Sequence, residues 1–460
     1  RRSALRLTPD AVEVLLFADM PGRGRRVEGR RAAAALAVGL PRLVREVLLL
    51  GSWDPAALAR HQASAEDHDA LIRVLRPRGW VAFAADGSRP ARRSGDEDLP
   101  LGETCVPLVA PAGAAAEVVL PHAGRLRGLA IREGVTLLCG GGFHGKSSLL
   151  RALGVAVHPH IPGDGREKIA TEPTAMAVRA EDGRAILGVD LRPFVGPLPD
   201  GRDGREFVTN NASGSTSQAA SILEAVEAGS RCLLIDEDTS ATNFLLRDSW
   251  MARLLKPEQE PIVPLLSRVR EMRERLGVST VLVVGGSGEA FRVADSVILM
   301  EGYRPVDATN EVAAIRAEMG PQSAVPTAVW PKGSREIPLH ALRSASVRVR
   351  ACGMRAVLVG RSECDLGASL ALVTTAQVNT LASILIEWIE RRIEPAMLPD
   401  LAVEAAIRIE RDGPLAYAST PRGDFAGVRA QEVAMLFSRL RHGAGPTEDR
   451  AAGTGAGRSG

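Results

Sequence analysis

The segment VTLLCGGGFHGKSSLL, Val135 to Leu150, constrains this chain more than any other. It joins an apolar run of strand length to a glycine-rich turn and then to the start of an apolar helix. The turn keeps the pattern G-x-x-x-x-G-K-[ST] through Gly140, Gly141, Gly142, Phe143, His144, Gly145, Lys146 and Ser147, with Ser148 next. An ordinary strand-to-helix turn would account for the glycines, which reach positive φ without strain, but not for Lys146 followed by two serines. In such a loop, backbone N–H groups and the helix N-terminus cradle phosphates. Lys146 is then expected on the β- and γ-phosphates and Ser147 on Mg²⁺. Lysine is rare here: Lys146, Lys168, Lys256 and Lys332 stand among 57 basic residues. A compact ammonium is thus kept where a phosphate loop needs one instead of a planar guanidinium.

A second cluster, RCLLIDEDTSATNF at Arg231 to Phe244, runs from a short apolar stretch into three consecutive acids. Such a stretch suits a buried parallel strand. Carboxylates at its C-terminal end, beside a phosphate loop, are placed to hold Mg²⁺ and to polarise a water molecule. Asp236 is the expected metal-side acid and Glu237 the expected base or water-positioner. A solvated acidic turn is the plainer alternative.

Between these lies NNASGSTSQAASILEAVEAGS, Asn210 to Ser230, with Ile222, Leu223 and Val226 at helical spacing and Gly229 as a stop. Ser213 or Ser215 caps this helix, leaving its positive end free to face an anion. In the order phosphate loop, serine-glycine helix start and Asp-Glu strand, the three segments resemble the ATP-binding-cassette arrangement. Ser213-Gly214 then takes the place of that class's signature, followed by Ser215.

The wording GGGFHGKSS, ASGSTSQA and LLIDEDTSATNF is similar to the family described as predicted ATPases of the ABC class, soluble proteins distinct from transporter subunits. The likeness runs from about Val12 to Arg441, including Pro21 to Arg31, Leu71 to Gly95 and Val283 to Met300. It implies a P-loop ATPase of ABC type with ATP and Mg²⁺ as cofactors. It also implies a head-to-tail homodimer, in which Ser213 and Gly214 of one copy donate to the γ-phosphate held by the other. Asp238 to Thr242 stands where such proteins place the loop that speaks across the interface. Characterised relatives are linked to RNA.

Departures from the general pattern bear on turnover. No histidine follows the strand Val281 to Val284, which runs into Gly285-Gly286-Ser287-Gly288. Ser287 is the nearest polar substitute for sensing the γ-phosphate, and His144 inside the loop offers another protonatable group. A loop side chain that packs or faces solvent is the plainer reading of His144. The glutamine expected between phosphate loop and signature is absent from Arg184 to Pro199, where Asp190 is the closest candidate metal ligand. The base-stacking residue is left open between His122, Phe143 and another position. Hydrolysis is expected because Glu237 is retained; a nucleotide-gated RNA- or protein-binding module with negligible turnover is the alternative, favoured by the missing histidine.

No apolar run of about 18 residues is present, which argues against a membrane-spanning helix. Five scattered cysteines without metal-ligand spacing fit buried roles in a reducing cytoplasm. No stretch reads as a secretory leader, although the chain opens on Arg1 in place of Met. Arginines crowd at Arg23, Arg25, Arg26, Arg30 and Arg31, at Arg89, Arg92 and Arg93, and at Arg348, Arg350, Arg355 and Arg361. These clusters can neutralise phosphates, so RNA or another nucleic acid is an expected partner. Only 3% of the residues are aromatic, which leaves few stacking platforms.

The organisation reads as an α+β N-terminal accessory domain (1–121), the ABC-type ATP-binding α/β domain (122–308), a linker (309–333), an α+β C-terminal accessory domain (334–442) and a disordered tail (443–460). Helices are expected near Arg30 to Leu50, Asp54 to Leu75, Gln377 to Arg392 and Gly427 to Leu440, with strands at Trp80 to Ala84 and Ser346 to Arg350. Asp248 to Leu276 reads as an added helical excursion. The short span from Lys146 to Ser213 predicts a reduced helical insertion.

Overall fold

The structure is a computed structural model that describes residues 2–95, 97–196, 204–247, 254, 260–320, 326–337, 347–391 and 396–441. Two small hairpins lead the chain: β1 (Leu5–Leu7) with β2 (Val12–Val14), and β3 (Gly22–Arg23) with β4 (Arg26–Val27). A helical stretch follows, opening as α1 (Gly29–Ala34), continuing through π-helical turns and α2 (Leu40–Leu43), and ending at Leu48. Helix α3 (Pro55–Leu75) starts where Asp54 accepts the N–H of Ala56 and proline occupies the first turn.

Strands β5 (Trp80–Ala85), β6 (Ala115–Leu120), β7 (Gly124–Arg132) and, later, β9 (Ile169–Thr171) form an antiparallel sheet in the order β6-β7-β5-β9. The boundary expected near Pro121 falls in the turn of the β6–β7 hairpin, so residues on both sides of it build one sheet.

The principal sheet comprises β8 (Val135–Cys139), β10 (Met176–Val178), β13 (Cys232–Asp236), β14 (Ser279–Val284), β15 (Ser296–Glu301) and β16 (Arg304–Asp307), in the order β10-β13-β14-β8-β15-β16. All neighbours pair in parallel except β15 and β16, which form a hairpin. The strands expected to carry the phosphate loop, the acids and the glycine turn are therefore three adjacent strands. Period-2 alternation divides them between two apolar layers. Leu138, Leu234, Val281 and Val283 pack with Leu149 and Leu153 of α4 (Lys146–Val155). Leu137, Leu233, Ile235 and Leu282 face Ile222 and Leu223 of α5 (Gly214–Glu227). Burial on both faces is what a parallel sheet requires, and it explains why these strands are apolar throughout.

Between α4 and α5 the described residues form β9, β10 and the pair β11 (Ile186–Val189) and β12 (Phe207–Thr209), with no α-helix. After β13 come α6 (Thr242–Leu245) and α7 (Val269–Leu276). The excursion expected over Asp248 to Leu276 lies partly outside the described residues, and α7 is its described end. Helix α8 (Thr309–Glu318) follows β16.

The C-terminal part holds β17 (Glu336–Ile337), a meander of β18 (Val349–Cys352), β19 (Ala356–Val359) and β20 (Ser362–Asp365), then α9 (Thr375–Glu390), β21 (Ala396–Met397), α10 (Leu398–Asp412) and α11 (Ala430–Ser438). Ser346 and the tail from 442 onward lie outside the described residues. The apolar faces of α9, α10 and α11 join the same core as α5: Trp388 stacks obliquely on Phe437 at 4.8 Å, and both belong to the cluster that contains Ile222 and Leu233. Four of the cysteines are buried as expected, but Cys352 is exposed, because β18 is an edge strand whose alternation turns that residue outward.

Candidate functional site

The phosphate loop leaves β8 between two glycines that sterics fix. Gly140 has φ +133°, and a Cβ there would lie 2.5 Å from the Met300 carbonyl oxygen of β15. Gly145 has φ +93° at the start of α4, and a Cβ there would lie 3.2 Å from the Tyr303 ring. Gly141 and Gly142 are exposed between them. Phe143 takes φ +62° and is 98% exposed. The Lys146 ammonium folds over the loop and donates to the carbonyls of Gly140 and Gly141 at 2.7 and 2.6 Å. The first-turn N–H groups of Lys146, Ser147 and Ser148 meet no acceptor among the described residues. A glycine cradle, orphan helix N–H donors and one ammonium fit a polyphosphate.

Asp236 ends β13 opposite Val283, whose other neighbour is Leu138 of β8, so the acid stands level with the mouth of the phosphate loop. Its Oδ1 accepts the N–H of Asp238 at 3.2 Å, and Oδ2 is not engaged by that bond. Glu237 turns to the glycine loop beyond β14: its Oε2 accepts the N–H of Gly285 at 2.5 Å and of Gly286 at 3.1 Å. The Gly285 Cβ position lies 3.8 Å from Glu237 Oε2 and 3.9 Å from Lys146 Nζ. The fold thereby brings Lys146, Glu237 and the Gly285 turn to one point from three separate strands.

Other expected residues are placed differently. Ser287 caps the short helical turn Gly288–Val293 by accepting the N–H of Glu289 at 3.2 Å, which leaves its hydroxyl proton free. His144 Nδ1 accepts the N–H of Gly302 at 3.0 Å, so its imidazole ties the loop to the β15–β16 turn. That bond needs an unprotonated Nδ1. Asp190 follows β11, outside the principal sheet, and its described hydrogen bonds all go to Arg192, at 3.2, 2.8 and 2.6 Å. His122 sits in the β6–β7 turn with its ring on Glu66 at 2.5 Å.

Ser213 is the N-cap of α5, accepting the N–H of Thr216, and Ser215 is buried beneath it. The helix start abuts the exit of β10: Ser217 Oγ accepts the N–H of Glu181, and a Cβ at Gly214 would lie 3.1 Å from Asp182 Oδ1. β10 is three positions from β8, about 14 Å across the sheet, so Ser213 and Gly214 start a helix beside a strand that is not the loop's neighbour.

Gln218, which sequence reasoning passed over, is fully buried in α5. It donates to Ser240 Oγ at 2.9 Å and accepts the N–H of Ala241 at 2.9 Å, while Ser240 Oγ donates to the Asp236 carbonyl at 2.8 Å. Its signal was an uncharged polar side chain on the apolar stripe of a helix. The Gly285 and Gly286 amides were missed because backbone donors leave no mark in residue type.

Among the arginines, Arg92 is withdrawn from any phosphate-binding surface, since it is buried against Asp98 and Asp164 at 2.8 and 2.7 Å. Arg25, Arg26, Arg348, Arg350, Arg355 and Arg361 are exposed. No helix among the described residues is long and apolar enough to cross a membrane.

Three family models match the chain. That of the ABC ATPase P-loop domain covers residues 54–333, that of the N-terminal region of ATPases of the ABC class covers 1–51, and that of the MRB1590 C-terminal domain covers 348–444. An uncharacterised protein of Methanocaldococcus jannaschii is 30% identical over 240 residues, which are 49% of this chain and 51% of that protein. The chain thus spans about half the length of this curated relative. Among solved structures, cbiO1 of Clostridium perfringens, part of the ABC transporter complex cbiONQ, aligns over 52% of this chain and 93% of its own at 14% identity, with a TM-score of 0.30.

Proposed function

The chain belongs to the ABC-class ATPase family, and on that premise we propose that it binds and hydrolyses Mg-ATP between two copies arranged head to tail, using closure and release to act on RNA. The observation that carries this reading is the meeting of Lys146, Glu237 and Gly285 at one end of β8, β13 and β14. One chain supplies the phosphate loop and the base, but its own signature helix starts beside β10, three strand positions from β8. A second copy would bring Ser213 and Gly214, with the orphan N–H groups of α5, onto the γ-phosphate.

Within that site Lys146 would leave the Gly140 and Gly141 carbonyls for the β- and γ-phosphates, and the α4 first turn would receive the phosphate oxygens. Ser147 and Asp236 would hold Mg²⁺, which neutralises charge on the phosphates. Glu237 would orient the attacking water and take its proton. Gly285 and Gly286 hold the Glu237 carboxylate beside Lys146 by donating to it. The exposed Arg25 and Arg26 of the β3–β4 hairpin and the arginines around β18 and β19 supply the backbone-binding charge that RNA requires. The cytoplasm is the compartment this reading assumes.

The second reading is a nucleotide-gated clamp with negligible turnover. It is favoured by the two amides already occupying Glu237 and by the absence of histidine in Gly285–Gly288. Light scattering of the wild type and Glu237→Gln, with Mg-ATP and with or without mixed single-stranded RNA, tests the proposal. A dimer that forms with ATP and is strengthened by RNA is the expected result. A dimer indifferent to RNA would redirect the partner to a protein, and a persistent monomer would overturn the two-copy site. Phosphate release separates the two readings.

A further inference from the structure

The γ-phosphate end of the site lies on the β13–β14 flank of β8, where Lys146, Glu237 and Gly285 converge. A nucleotide held by that end and by the α4 N-terminus has the opposite flank of β8 open to its sugar and base, away from the acids. That flank is the β15–β16 hairpin. Its two-residue turn is Gly302-Tyr303, with φ +52° and +68°, the left-handed pair of a primed hairpin turn. Glycine and asparagine take such positions readily, whereas a bulky aromatic there is a genuine outlier. Phe143 and Tyr303 are the only non-glycine residues with positive φ among the described residues, and both border the phosphate loop.

We propose that Tyr303 is the platform on which the base of the bound nucleotide stacks. This rests on the nucleotide reading above. The ring is half exposed, at 53%, and its Cδ1 lies 3.2 Å from the Cβ position of Gly145, the residue that opens α4. Its backbone is fixed by the Glu301–Arg304 pairing and by the bond from Gly302 N–H to His144 Nδ1, which locks the turn to the phosphate loop itself. An ordering cost is thus already met before the base arrives. His122 is engaged by Glu66 in the β6–β7 turn, and the Phe143 ring stands free in solvent, so neither offers a supported face beside the loop. Every base presents a π-face, so the platform supplies affinity for nucleotides over bare polyphosphate and no preference between adenine and guanine. The unusual backbone at Tyr303 is then explained by function: the turn carries an aromatic because the site needs one there.

The test measures dissociation constants for Mg-ATP, Mg-GTP and Mg-tripolyphosphate with full-length wild type, Tyr303→Ala, Tyr303→Trp and Phe143→Ala. Tyr303→Ala is expected to weaken ATP and GTP alike, by about tenfold or more, and to leave tripolyphosphate unchanged. The tripolyphosphate arm also reports that the variant loop is folded. Tyr303→Trp should retain nucleotide affinity, with its indole fluorescence quenched by ATP but not by tripolyphosphate. Unchanged ATP binding by Tyr303→Ala, or a loss confined to Phe143→Ala, would overturn the platform while leaving the nucleotide reading intact. If the wild type binds neither nucleotide nor tripolyphosphate, both readings fall together.

Discussion

The carboxylate of Glu237 shows how one residue's neighbours define its chemistry. Two backbone amides hold it beside Lys146 without adding a proton donor that needs its own partner. Glu237→Gln keeps the shape and removes the base, so phosphate release should fall by about a hundredfold or more while nucleotide binding persists. A phosphate-release assay beside an ATP-binding titration checks this, and unchanged release would take Glu237 out of the catalytic role. A different acid contributes to the pH dependence of stability. Asp164 is half-desolvated, which raises its pKa, but His160 and Arg92, each at 2.7 Å, outweigh burial and hold it at about 2. Its unfolded value is about 3.9. Because the folded pKa is the lower one, the pairing stabilises the protein above pH ~4 and the contribution is lost as pH falls toward about 2. On the order of 2 kcal/mol is involved at neutral pH. The urea midpoints of wild type and Asp164→Asn should therefore differ most above pH ~5 and approach one another on acidification; a gap independent of pH would point to packing instead.

Elements, in contrast, are joined by broad apolar packing and by a few specific polar bridges. Helix α5 and the loop after β13 are bridged by Gln218, whose amide satisfies both the Ala241 N–H and the Ser240 hydroxyl. The helix that would meet a partner's γ-phosphate is thereby fastened to the loop carrying Glu237. Gln218→Ala takes the acceptor from the half-buried Ala241 N–H and empties a buried side-chain site in α5, a loss of about 1–3 kcal/mol. The expected signature is a lower rate of phosphate release and weaker ATP-driven dimerisation, with nucleotide affinity of the monomer unchanged. If affinity falls instead and the rate holds, the bridge is not a coupling element. The same element scale explains the phosphate loop: β8 and α4 are fixed by apolar packing against β13, β14 and β15, which anchors both ends of the loop.

Across the whole molecule, the C-terminal region and α5 share both an apolar core and a buried ionic network. Arg439 meets Glu181 at 2.6 Å and Glu224 at 3.7 Å, and Arg184 meets Glu224 at 2.9 Å. Burial alone would raise the pKa of Glu181, but Arg439 and Arg184 hold it below the usual carboxylate range. Removing one member strands the others. Arg439→Met should cost about 3–5 kcal/mol, because Glu181 then lies buried without its nearest cation. Chemical denaturation measures it, and a loss below 1 kcal/mol would mean that water or a rearranged Arg184 replaces the pair. Since Trp388, Phe437 and Ile222 belong to one cluster, the C-terminal region and the nucleotide domain are expected to unfold in one transition.

The phosphate loop, the Asp-Glu strand, the capped helix and the family resemblance were legible in the sequence, because each is a local consequence of residue type: glycine where φ must be positive, lysine and serine where the phosphate-loop pattern calls for them, apolar runs where a strand is buried on both faces. The helices expected near Asp54 to Leu75 and Gln377 to Arg392 form over Pro55–Leu75 and Thr375–Glu390, and the structure shows their Asp54 and Thr374 caps. Strand order was not local. It took the tertiary structure to set β14 between β13 and β8, and hence to bring Gly285 onto Glu237 and Lys146. Asp190 reads as a metal ligand in sequence, yet its strand left the principal sheet and its carboxylate closed on Arg192. Arg92 reads as free charge, yet folding buried it against two acids. Tyr303 carries no motif at all, and only the docking of a hairpin turn against Gly145 gives it a place beside the loop. Residue types determine which local conformations are cheap; the packing of distant segments decides which side chains and backbone groups meet.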